Sequence, residues 1–409
     1  MKLAIATYGT EGDARPFAAL ARGLLDAGHQ VQLLADAATL GTARALEVQT
    51  VALAGDIRGV LASEAGIGRV VAKGAGFNDT ARALASIANE NTDSWLDAIV
   101  HVAVGCDAIL VAGLAAYAGL SAAEVVGAIG IGSGMIPITP TAAFPSPFLP
   151  PRWIPRPLNR PSHAFVNSML WKAFRDKTNA ARARYKLSAR RQAWTGHPMV
   201  YGVSPQLVPR PGDWPTNAYL CGQWAPRGSV WSAPAPLTEF LASGEAPIYV
   251  GFGSMTGFGS TPLMQALVEA VGGRRALFYP GWSGVDGHGL PGNFLVIGET
   301  PHDWLFPRTA AVIHHGGSGT SHSVAGAGVP SVVVPFAADQ YFWAERLRRL
   351  GVAPAPVDGR KPTAGAFARA IDFATSAQAR ARAQSLGEVM RADRGVADAV
   401  AALEQIVAR

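Results

Sequence analysis

Residues 296–343 read VIGETPHDWLFPRTAAVIHHGGSGTSHSVAGAGVPSVVVPFAADQYFW, and apolar runs alternate within them with small-residue turns. The pattern predicts a strand over Ala310–Ile313, the turn HHGGSGT over 314–320, a helix over 321–327 and a second strand over Ser331–Val334. This is a βαβ unit with glycines in its first turn. The sequence therefore predicts a parallel sheet of the Rossmann type.

The glycine-rich turn has the composition of a diphosphate-binding site. Glycines let the backbone approach a ligand, and the start of the following helix offers free N–H groups at its positive dipole end. Ser318 and Thr320 add hydroxyl donors, and His315 adds a hydrogen bond or a positive charge. Ligands of open α/β sheets bind beyond the carboxyl ends of the strands, so Asp339 and Gln340 should face the same crevice. A carboxylate beside a carboxamide suits sugar hydroxyls, which both donate and accept hydrogen bonds.

Four ordered motifs together resemble a known family. They are IYVGFGS at 248–254, TPHDWLFP at 300–307, HHGGSGT at 314–320 and PFAADQ at 335–340. The combination resembles the donor-binding half of bacterial family 1 UDP-glycosyltransferases, within them the sterol glucosyltransferase-like and antibiotic-aglycone subgroup. The resemblance implies the GT-B fold, an α/β architecture in which two Rossmann-like, doubly wound domains face a central cleft that holds a nucleotide sugar.

The resemblance also implies roles for residues at matching positions. Asp13 would be the catalytic base, because GDARP at 12–16 matches the family's G-H/D-x-x-P pattern in the first β-to-α turn. Glu299 and Ser323 replace the Trp and Glu with which plant members hold the nucleoside, so UDP and dTDP both remain open. The residues expected to bind the nucleotide sugar are Ser254, His315, Gly317, Ser318, Gly319, Thr320, Asp339 and Gln340.

Asp13 has two alternative interpretations. It lies three residues before Pro16, a position from which a carboxylate can cap a helix N-terminus. Glu11, which stands where most relatives have Arg, offers a second carboxylate, as in glycosidases. The diphosphate-binding turn has no place in a glycosidase and disfavours that alternative.

Three histidines near the turn raise the alternative of a zinc site. Adjacent histidines such as His314 and His315 do not easily point at one ion, and no acidic residue lies at ligand spacing from them or from His322. The chain also contains no D-x-D motif. We therefore expect transfer without a metal or another cofactor, with the turn in place of a divalent ion.

The same strand and helix rhythm occurs in both halves of the chain. A strand over Lys2–Thr7 and a helix that contains Pro16 and ends near Gly28 open the first half. A segment rich in proline and glycine then precedes the strand over 247–252. We expect an acceptor-binding Rossmann-like domain at 1–222, a linker at 223–236, a nucleotide-sugar-binding Rossmann-like domain at 237–390 and, from the resemblance, a last helix at 391–409 that packs back on the first domain.

An unusual loop and helix in the first half suggest where an acceptor binds. Nine prolines between Pro137 and Pro161 are interleaved with apolar side chains, which excludes regular structure but supplies apolar surface. The helix predicted over 162–187 is amphipathic and basic, and its basic side is either a solvated face or a contact for membrane lipid. The expected acceptor-binding residues are Thr10, Phe144, Phe148 and Trp153.

Composition limits the classes of function. The 409 residues are enough for two or three domains, and 49% hydrophobic against 16% charged residues indicates an ordered α/β protein. The net charge of +6 comes from dispersed basic residues, which disfavours nucleic-acid binding. Cys106 and Cys221 form no C-x-x-C spacing, and neither a secretory signal nor an apolar run of membrane-spanning length is present. We expect a cytoplasmic protein with at most peripheral membrane contact.

These features favour an inverting, metal-independent glycosyltransferase. It would move a hexose, glucose from UDP-glucose in the first place, onto a hydroxyl of a lipophilic sterol, macrolide or other polyketide antibiotic, or polyphenol. A sugar-nucleotide 2-epimerase of the same fold and a non-catalytic protein that binds sugar nucleotides or lipids remain alternatives. A nicotinamide dehydrogenase is disfavoured because no G-x-G-x-x-G follows a first strand. The sequence does not indicate the oligomeric state.

Overall fold

The structure is a computed structural model that describes residues 1–62, 77–226, 231–253, 261–281 and 289–409. Its strands form two sheets in which every pair of neighbours is parallel. One sheet lies in each half of the chain, and helices connect the strands. The predicted α/β architecture of two Rossmann-like units is confirmed.

The first sheet has seven strands in the order β3-β2-β1-β4-β5-β6-β7. The strands are β1 Lys2–Tyr8, β2 Gln30–Asp36, β3 Gln49–Leu53, β4 Ala108–Gly113, β5 Ile129–Gly134, β6 Met199–Tyr201 and β7 Ala218–Leu220. The helices of this half are α1 Glu11–Asp26, α2 Gly41–Ala45, α3 Ile57–Ala62, α4 Phe77–Ala103, α5 Ala116–Val126 and α6 Asn159–Arg184. The strand order reverses between β1 and β4, so a crevice opens beyond the carboxyl ends of those two strands.

The second sheet has five strands in the order β10-β9-β8-β11-β12. The strands are β8 Ile248–Gly251, β9 Ala276–Tyr279, β10 Phe294–Val296, β11 Ala311–His314 and β12 Ser331–Val333. The helices of this half are α7 Ala235–Ala242, α8 Thr261–Val271, α9 His302–Leu305, α10 Ser318–Ala327, α11 Gln340–Arg349, α12 Ala364–Ala374, α13 Ala377–Met390 and α14 Val396–Val407. Here the order reverses between β8 and β11, which puts the glycine-rich turn at the switch point.

Continuous apolar strands explain the two cores. Residues 3–8 of β1 and all of β11 are buried, as expected for parallel strands that are covered by helices on both faces.

The helix boundaries differ from the prediction at the two functional turns. α1 begins at Glu11, so that Asp13 is helical, and α10 begins at Ser318, three residues before the predicted start. In both cases a residue of extended backbone, Thr10 or Gly317, precedes the first helical residue.

The last helix returns to the first half, as predicted. Leu403 of α14 belongs to the same buried cluster as Leu20 and Leu24 of α1. The crossing is close, because a Cβ on Gly23 would collide with the Val396 side chain. The domain boundaries at 222 and 236 stay predictions. In the described part of the chain no helix is both long enough and apolar enough to cross a bilayer.

Candidate active site

The two halves enclose one large cleft at the carboxyl ends of their strands. Its volume is about 3130 Å³, and it is lined by the turns after β1, β5, β11 and β12. Pockets for single small ligands usually have about 300–1,000 Å³. The cleft is therefore large enough for a nucleotide sugar together with a second substrate.

Asp13 lies in the first turn of α1 and lines this cleft. Its Oδ2 accepts hydrogen bonds from Thr10 N at 2.7 Å and from Thr10 Oγ1 at 3.1 Å. Gly9 leaves room for this carboxylate, since a Cβ on Gly9 would overlap it. Burial raises the pKa of Asp13, and the two Thr10 bonds partly oppose that rise. Asp13, the third residue of α1, thus completes a capping box with the N-cap residue Thr10. Because its pKa is raised, its carboxylate is also a stronger base than that of an ordinary aspartate.

The structure shows further contacts for Thr10 and Glu11. The Thr10 hydroxyl holds Asp13, although Thr10 also lines the cleft, where an acceptor contact stays a prediction. Glu11 Oε2 lies 3.9 Å from Arg15, and burial together with Glu299 raises the Glu11 pKa while Arg15 lowers it. The charges that act on Glu11 are those of Arg15 and Glu299, so the pairing of Glu11 with Asp13 as in glycosidases is not supported.

The glycine-rich turn forms a tight corner between β11 and α10. Gly316 has a φ of +90°, and a Cβ there would come within 2.7 Å of the Val333 side chain. Its N–H donates to Nδ1 of the buried His314 at 3.1 Å. The first N–H groups of an α-helix have no partner within the helix, and Gly317, Ser318, Gly319 and Thr320 at the start of α10 line the cleft. Binding of the donor diphosphate at this helix start stays a prediction.

His315 lies against this turn with its ring between two glycines. A Cβ on Gly317 would approach His315 Nε2 to 2.5 Å, and one on Gly253 would approach Cε1 to 3.2 Å. Burial lowers the pKa of His315 to about 4, so the ring is neutral near pH 7. Among the described residues its buried Nδ1 has no hydrogen-bond partner. An unpaired buried nitrogen at the edge of the cleft is a group that a bound anion can satisfy.

Of the other residues predicted to bind phosphate, some line the cleft, one has its hydroxyl bonded elsewhere and one lies outside the described residues. Gly319 and Thr320 line the cleft with Gly317. The Ser318 hydroxyl donates to the carbonyl oxygen of Met135 at 2.7 Å and so joins the two halves. A contact of Ser318 with phosphate stays a prediction that depends on its backbone N–H. Ser254 lies outside the described residues.

Asp339 and Gln340 follow β12 and line the cleft on the same side as the turn. Gln340 Oε1 accepts from the backbone N–H groups of Phe336 at 2.8 Å and Ala337 at 3.2 Å, which fixes the loop before α11. Ala338 has a φ of +51°, a strained conformation for a residue with a Cβ, directly before Asp339. The loop thus holds Asp339 in a defined position.

The Asp339 carboxylate has unusual electrostatics. Burial and, to a smaller extent, the negative charge of Asp13 raise its pKa to about 6, while the Trp343 bond lowers it. Asp13 belongs to the first half and Asp339 to the second. Both side chains line the cleft, and Asp13 is close enough for its negative charge to raise the Asp339 pKa.

Trp343 is a positioning residue that the sequence analysis did not identify. It is fully buried, and its Nε1 donates to Asp339 Oδ2 at 2.8 Å. Trp343→Phe should raise the KM for the donor sugar about 10-fold, because a hydrogen bond to a charged group is lost, and should raise the Asp339 pKa further. Initial rates against donor concentration at several pH values measure both effects. Trp224→Phe is the matched control, because the buried Trp224 indole N–H has no partner among the described residues. Equal KM values for the two variants would contradict the role of Trp343.

The remaining histidines have structural bonds. His322 Nδ1 donates to Ser318 O at 2.8 Å, and its Nε2 accepts from Ser204 N at 3.1 Å, which joins α10 to the first half. Burial lowers the pKa of His322 to about 4 and that of His314 to about 3. Over the residues that the structure describes, no group of three or more His, Cys, Asp or Glu side chains is placed to hold a metal ion.

The proline-rich loop forms part of the cleft wall, but its aromatic residues differ in position. Phe148 and Trp153 line the cleft. Phe144 is buried outside the cleft lining, where its ring lies 5.3 Å from that of Phe342 and its carbonyl oxygen pairs with His163 Nε2 at 3.1 Å. This corrects the expected acceptor contact of Phe144, which instead packs the two halves together.

An aromatic group in the first half also reaches the cleft. Tyr117 of α5 contacts Phe174 and Trp194 at ring distances of 5.4 and 6.1 Å, and all three line the cleft beside Leu170. The helical periodicity of 162–187 places Leu170 and Phe174 on one apolar side. The partners Tyr117 and Trp194 come from other segments, so the pattern could not reveal the group.

The two positions that depart from the plant nucleoside contacts join the halves instead. Glu299 Oε1 pairs with Arg15 at 2.5 Å, and Ser323 Oγ accepts from Gln223 Nε2 at 3.1 Å. Both ion-pair partners are exposed, at 42% and 69% of their side chains, so the pair contributes at most about 1 kcal/mol. Arg15 and Glu299 both line the cleft, and the sequence gives no sign that they pair.

Comparison with known proteins shows similarity in both sequence and fold. Residues 279–406 match the family described as erythromycin biosynthesis protein CIII-like, C-terminal domain. The chain is 33% identical to an O-mycaminosyltylonolide 6-deoxyallosyltransferase of Streptomyces fradiae, over 99% of this chain and 97% of the relative. It is 31% identical to a sterol 3-beta-glucosyltransferase of Arabidopsis thaliana, over 98% of this chain and 65% of the relative. The chain therefore spans about two thirds of that plant enzyme.

Solved structures agree on the fold. The glycotransferase of kitacinnamycin superimposes with a TM-score of 0.74 at 19% identity and 99% coverage of both chains. The glycosyltransferase VinC in complex with dTDP gives 0.71 at 17% identity and full coverage of both. The fold is thus the GT-B fold of these solved glycosyltransferases. The chain belongs to the glycosyltransferase family that contains the macrolide 6-deoxyallosyltransferase and the sterol glucosyltransferase named above.

Proposed function

We propose that the protein transfers a hexose, in the first place glucose from UDP-glucose, to a hydroxyl of a lipophilic macrolide or sterol with inversion at the anomeric carbon. The observation that carries the proposal is that Asp13 and Asp339, which come from opposite halves, line one cleft in which the negative charge of Asp13 raises the pKa of Asp339. The proposed base for the acceptor and the proposed group for the donor sugar thus border the same space. The names of the macrolide and sterol relatives support the acceptor class.

The proposed reaction is one direct displacement. The acceptor oxygen attacks the anomeric carbon from the face opposite the diphosphate, its proton passes to Asp13, and the C–O bond to the diphosphate breaks. The raised pKa of Asp13 suits this proton transfer better than an ordinary carboxylate would. The departing diphosphate gains hydrogen bonds from the start of α10 and from neutral His315.

The proposal includes no metal step. The positive end of α10 and the ring N–H of His315 provide the charge stabilisation that a divalent ion gives elsewhere. Because the cleft wall around Tyr117, Phe174 and Trp194 is apolar and aromatic, it suits a large lipophilic acceptor.

Nucleotide release from purified protein tests the proposal. UDP-glucose and dTDP-glucose are each supplied with macrolide aglycones, sterols or flavonoids, with and without EDTA, and the anomeric configuration of the product is read by NMR. We expect release that requires an acceptor, survives EDTA and yields the β-glycoside from the α-linked donor. Conversion of the sugar nucleotide to its isomer without transfer would favour the epimerase, and binding without turnover would favour a non-catalytic protein.

A further inference from the structure

The end of the proline-rich loop and the first turns of α6 present apolar side chains to solvent. Trp153, Leu158 and Phe165 are exposed by 65%, 51% and 55%, although each is large and apolar. Leu158 is the residue directly before α6, and Phe165 lies within α6, about two helical turns after Leu158. This spacing puts both residues on one side of the helix. We call residues 150–165 the platform. Its exposed apolar residues occur within one short segment, which marks an interaction site more than scattered exposure does.

The platform is a fixed structure. Single-turn 3-10 helices at Pro151–Trp153 and Arg156–Leu158 shape it. The buried Asn159 donates its Nδ2 to Ala142 O at 2.9 Å, and Ser162 Oγ accepts from Ser146 N at 2.8 Å. These bonds and the prolines hold the backbone of the platform in the conformation in which the apolar side chains are exposed.

Exposed arginines alternate with these apolar residues. They are Arg152, Arg156 and Arg160. Within the described ranges none of them forms an ion pair, although Arg160 lies near Asp213 and lowers its pKa, and the Arg152 guanidinium lies 5.7 Å from the Trp153 ring centre. Exposed tryptophan, leucine, phenylalanine and arginine side chains within one segment suit the interface of an anionic bilayer, where apolar groups enter and cations meet lipid phosphates.

The platform is continuous with the cleft. Arg152 and Trp153 line the cleft wall together with Phe148 and Leu149. A surface that contacts lipid here would therefore border directly on the space for the acceptor.

We propose that the platform docks the protein onto anionic phospholipid membrane and that lipophilic acceptors enter the cleft from the lipid side. Docking rests on the platform alone, whereas acceptor delivery rests also on the proposed function. The partner of the platform is the headgroup layer of the membrane, because the platform combines positively charged arginines with exposed apolar and aromatic side chains.

Vesicle sedimentation of the full chain tests docking. The probes are vesicles of phosphatidylcholine alone and of phosphatidylcholine mixed with phosphatidylglycerol, at low and high salt. We expect binding to the mixed vesicles that weakens with salt, and at least about 10-fold weaker partition for Trp153→Ser/Leu158→Ser/Phe165→Ser. Val104→Ser/Phe373→Ser/Val389→Ser is the matched control, because these residues are also exposed, at 62%, 36% and 49%, but lie elsewhere. Circular dichroism and the melting temperature establish that both variants fold.

The outcomes are distinct. Wild type that stays in solution with both vesicle types, or equal partition of the two triple variants, overturns the proposal. Concentration-dependent dimers that only the platform variant loses, without vesicle binding, would instead assign the surface to a second copy of the chain. Asp13→Asn should bind vesicles like wild type, so a failure of the proposed chemistry and a failure of docking can be told apart.

Discussion

Asp13→Asn should lower the turnover of glycosyl transfer by about 10²–10⁴-fold, the usual contribution of a positioned general base. The amide keeps the size of the carboxylate and its oxygen can still accept from Thr10, so the first turn of α1 should persist. What disappears is the lone pair that takes the acceptor proton. Donor affinity should change only a few-fold, because the proposed diphosphate site at the glycine-rich turn belongs to the other half.

The pH profile adds a second test of the same residue. Asp13 must be ionised to act as base, and burial raises its pKa above the ordinary aspartate range. Turnover should therefore fall as the pH falls through this raised pKa, and the acid limb should lie above that of a free aspartate. Steady-state kcat with saturating donor and acceptor between pH 4 and 9 measures the limb.

Glu11→Gln is the matched control for Asp13→Asn, since it removes a carboxylate two residues away in the same helical turn. It should keep turnover within a few-fold of wild type, because Glu11 interacts with Arg15. An Asp13→Asn enzyme with more than about a tenth of wild-type turnover would refute the base assignment. Equal losses of turnover in both variants would favour the alternative in which Glu11 and Asp13 act as a pair of carboxylates.

Periodicity and turn chemistry predicted most of the fold because they act locally. The βαβ unit around the glycine-rich turn followed from apolar strands that are separated by residues with little steric bulk. The helix starts were less accurate, since the extended residues Thr10 and Gly317 end the turns earlier than composition indicates. A helix begins where its backbone geometry permits, and residue type influences that choice only weakly.

The parts of the site that join distant segments could not be predicted. The bond from Trp343 to Asp339 is local, but only burial of the indole reveals that it positions the carboxylate. The Arg15–Glu299 pair and the Ser318–Met135 bond connect residues from different halves. Phe144 was wrongly assigned to the acceptor for the same reason. An aromatic residue in a proline-rich loop reads alike whether it faces a cleft or the other half.

His315→Ala should weaken binding of the nucleoside diphosphate about 10-fold or more and lower kcat/KM by about 10²–10³-fold, as expected for a lost donor at a leaving group. The ring lies between Gly253 and Gly317, and its Nδ1 has no partner among the described residues. Alanine leaves a gap at the edge of the cleft but does not alter the main-chain corner at Gly316. Titration calorimetry with UDP and initial rates measure the two effects.

His315→Gln separates hydrogen bonding from charge. Burial lowers the pKa of His315 to about 4, so the empty site holds a neutral ring near pH 7. A bound diphosphate favours the protonated ring and raises that pKa. If the neutral ring suffices, glutamine, which donates but does not titrate, should restore much of the lost kcat/KM and follow the wild-type pH profile. If a cation is required, wild-type activity should fall as the pH rises through the raised pKa, and glutamine should not rescue it.

Asp13→Asn and His315→Ala together test whether proton transfer and diphosphate binding depend on different sides of the cleft. Asp13→Asn should lose turnover but keep UDP affinity, whereas His315→Ala should lose both. This asymmetry follows from the positions of the two side chains, one in the first half and the other beside the start of α10. Undiminished UDP binding by His315→Ala would move the diphosphate away from the glycine-rich turn.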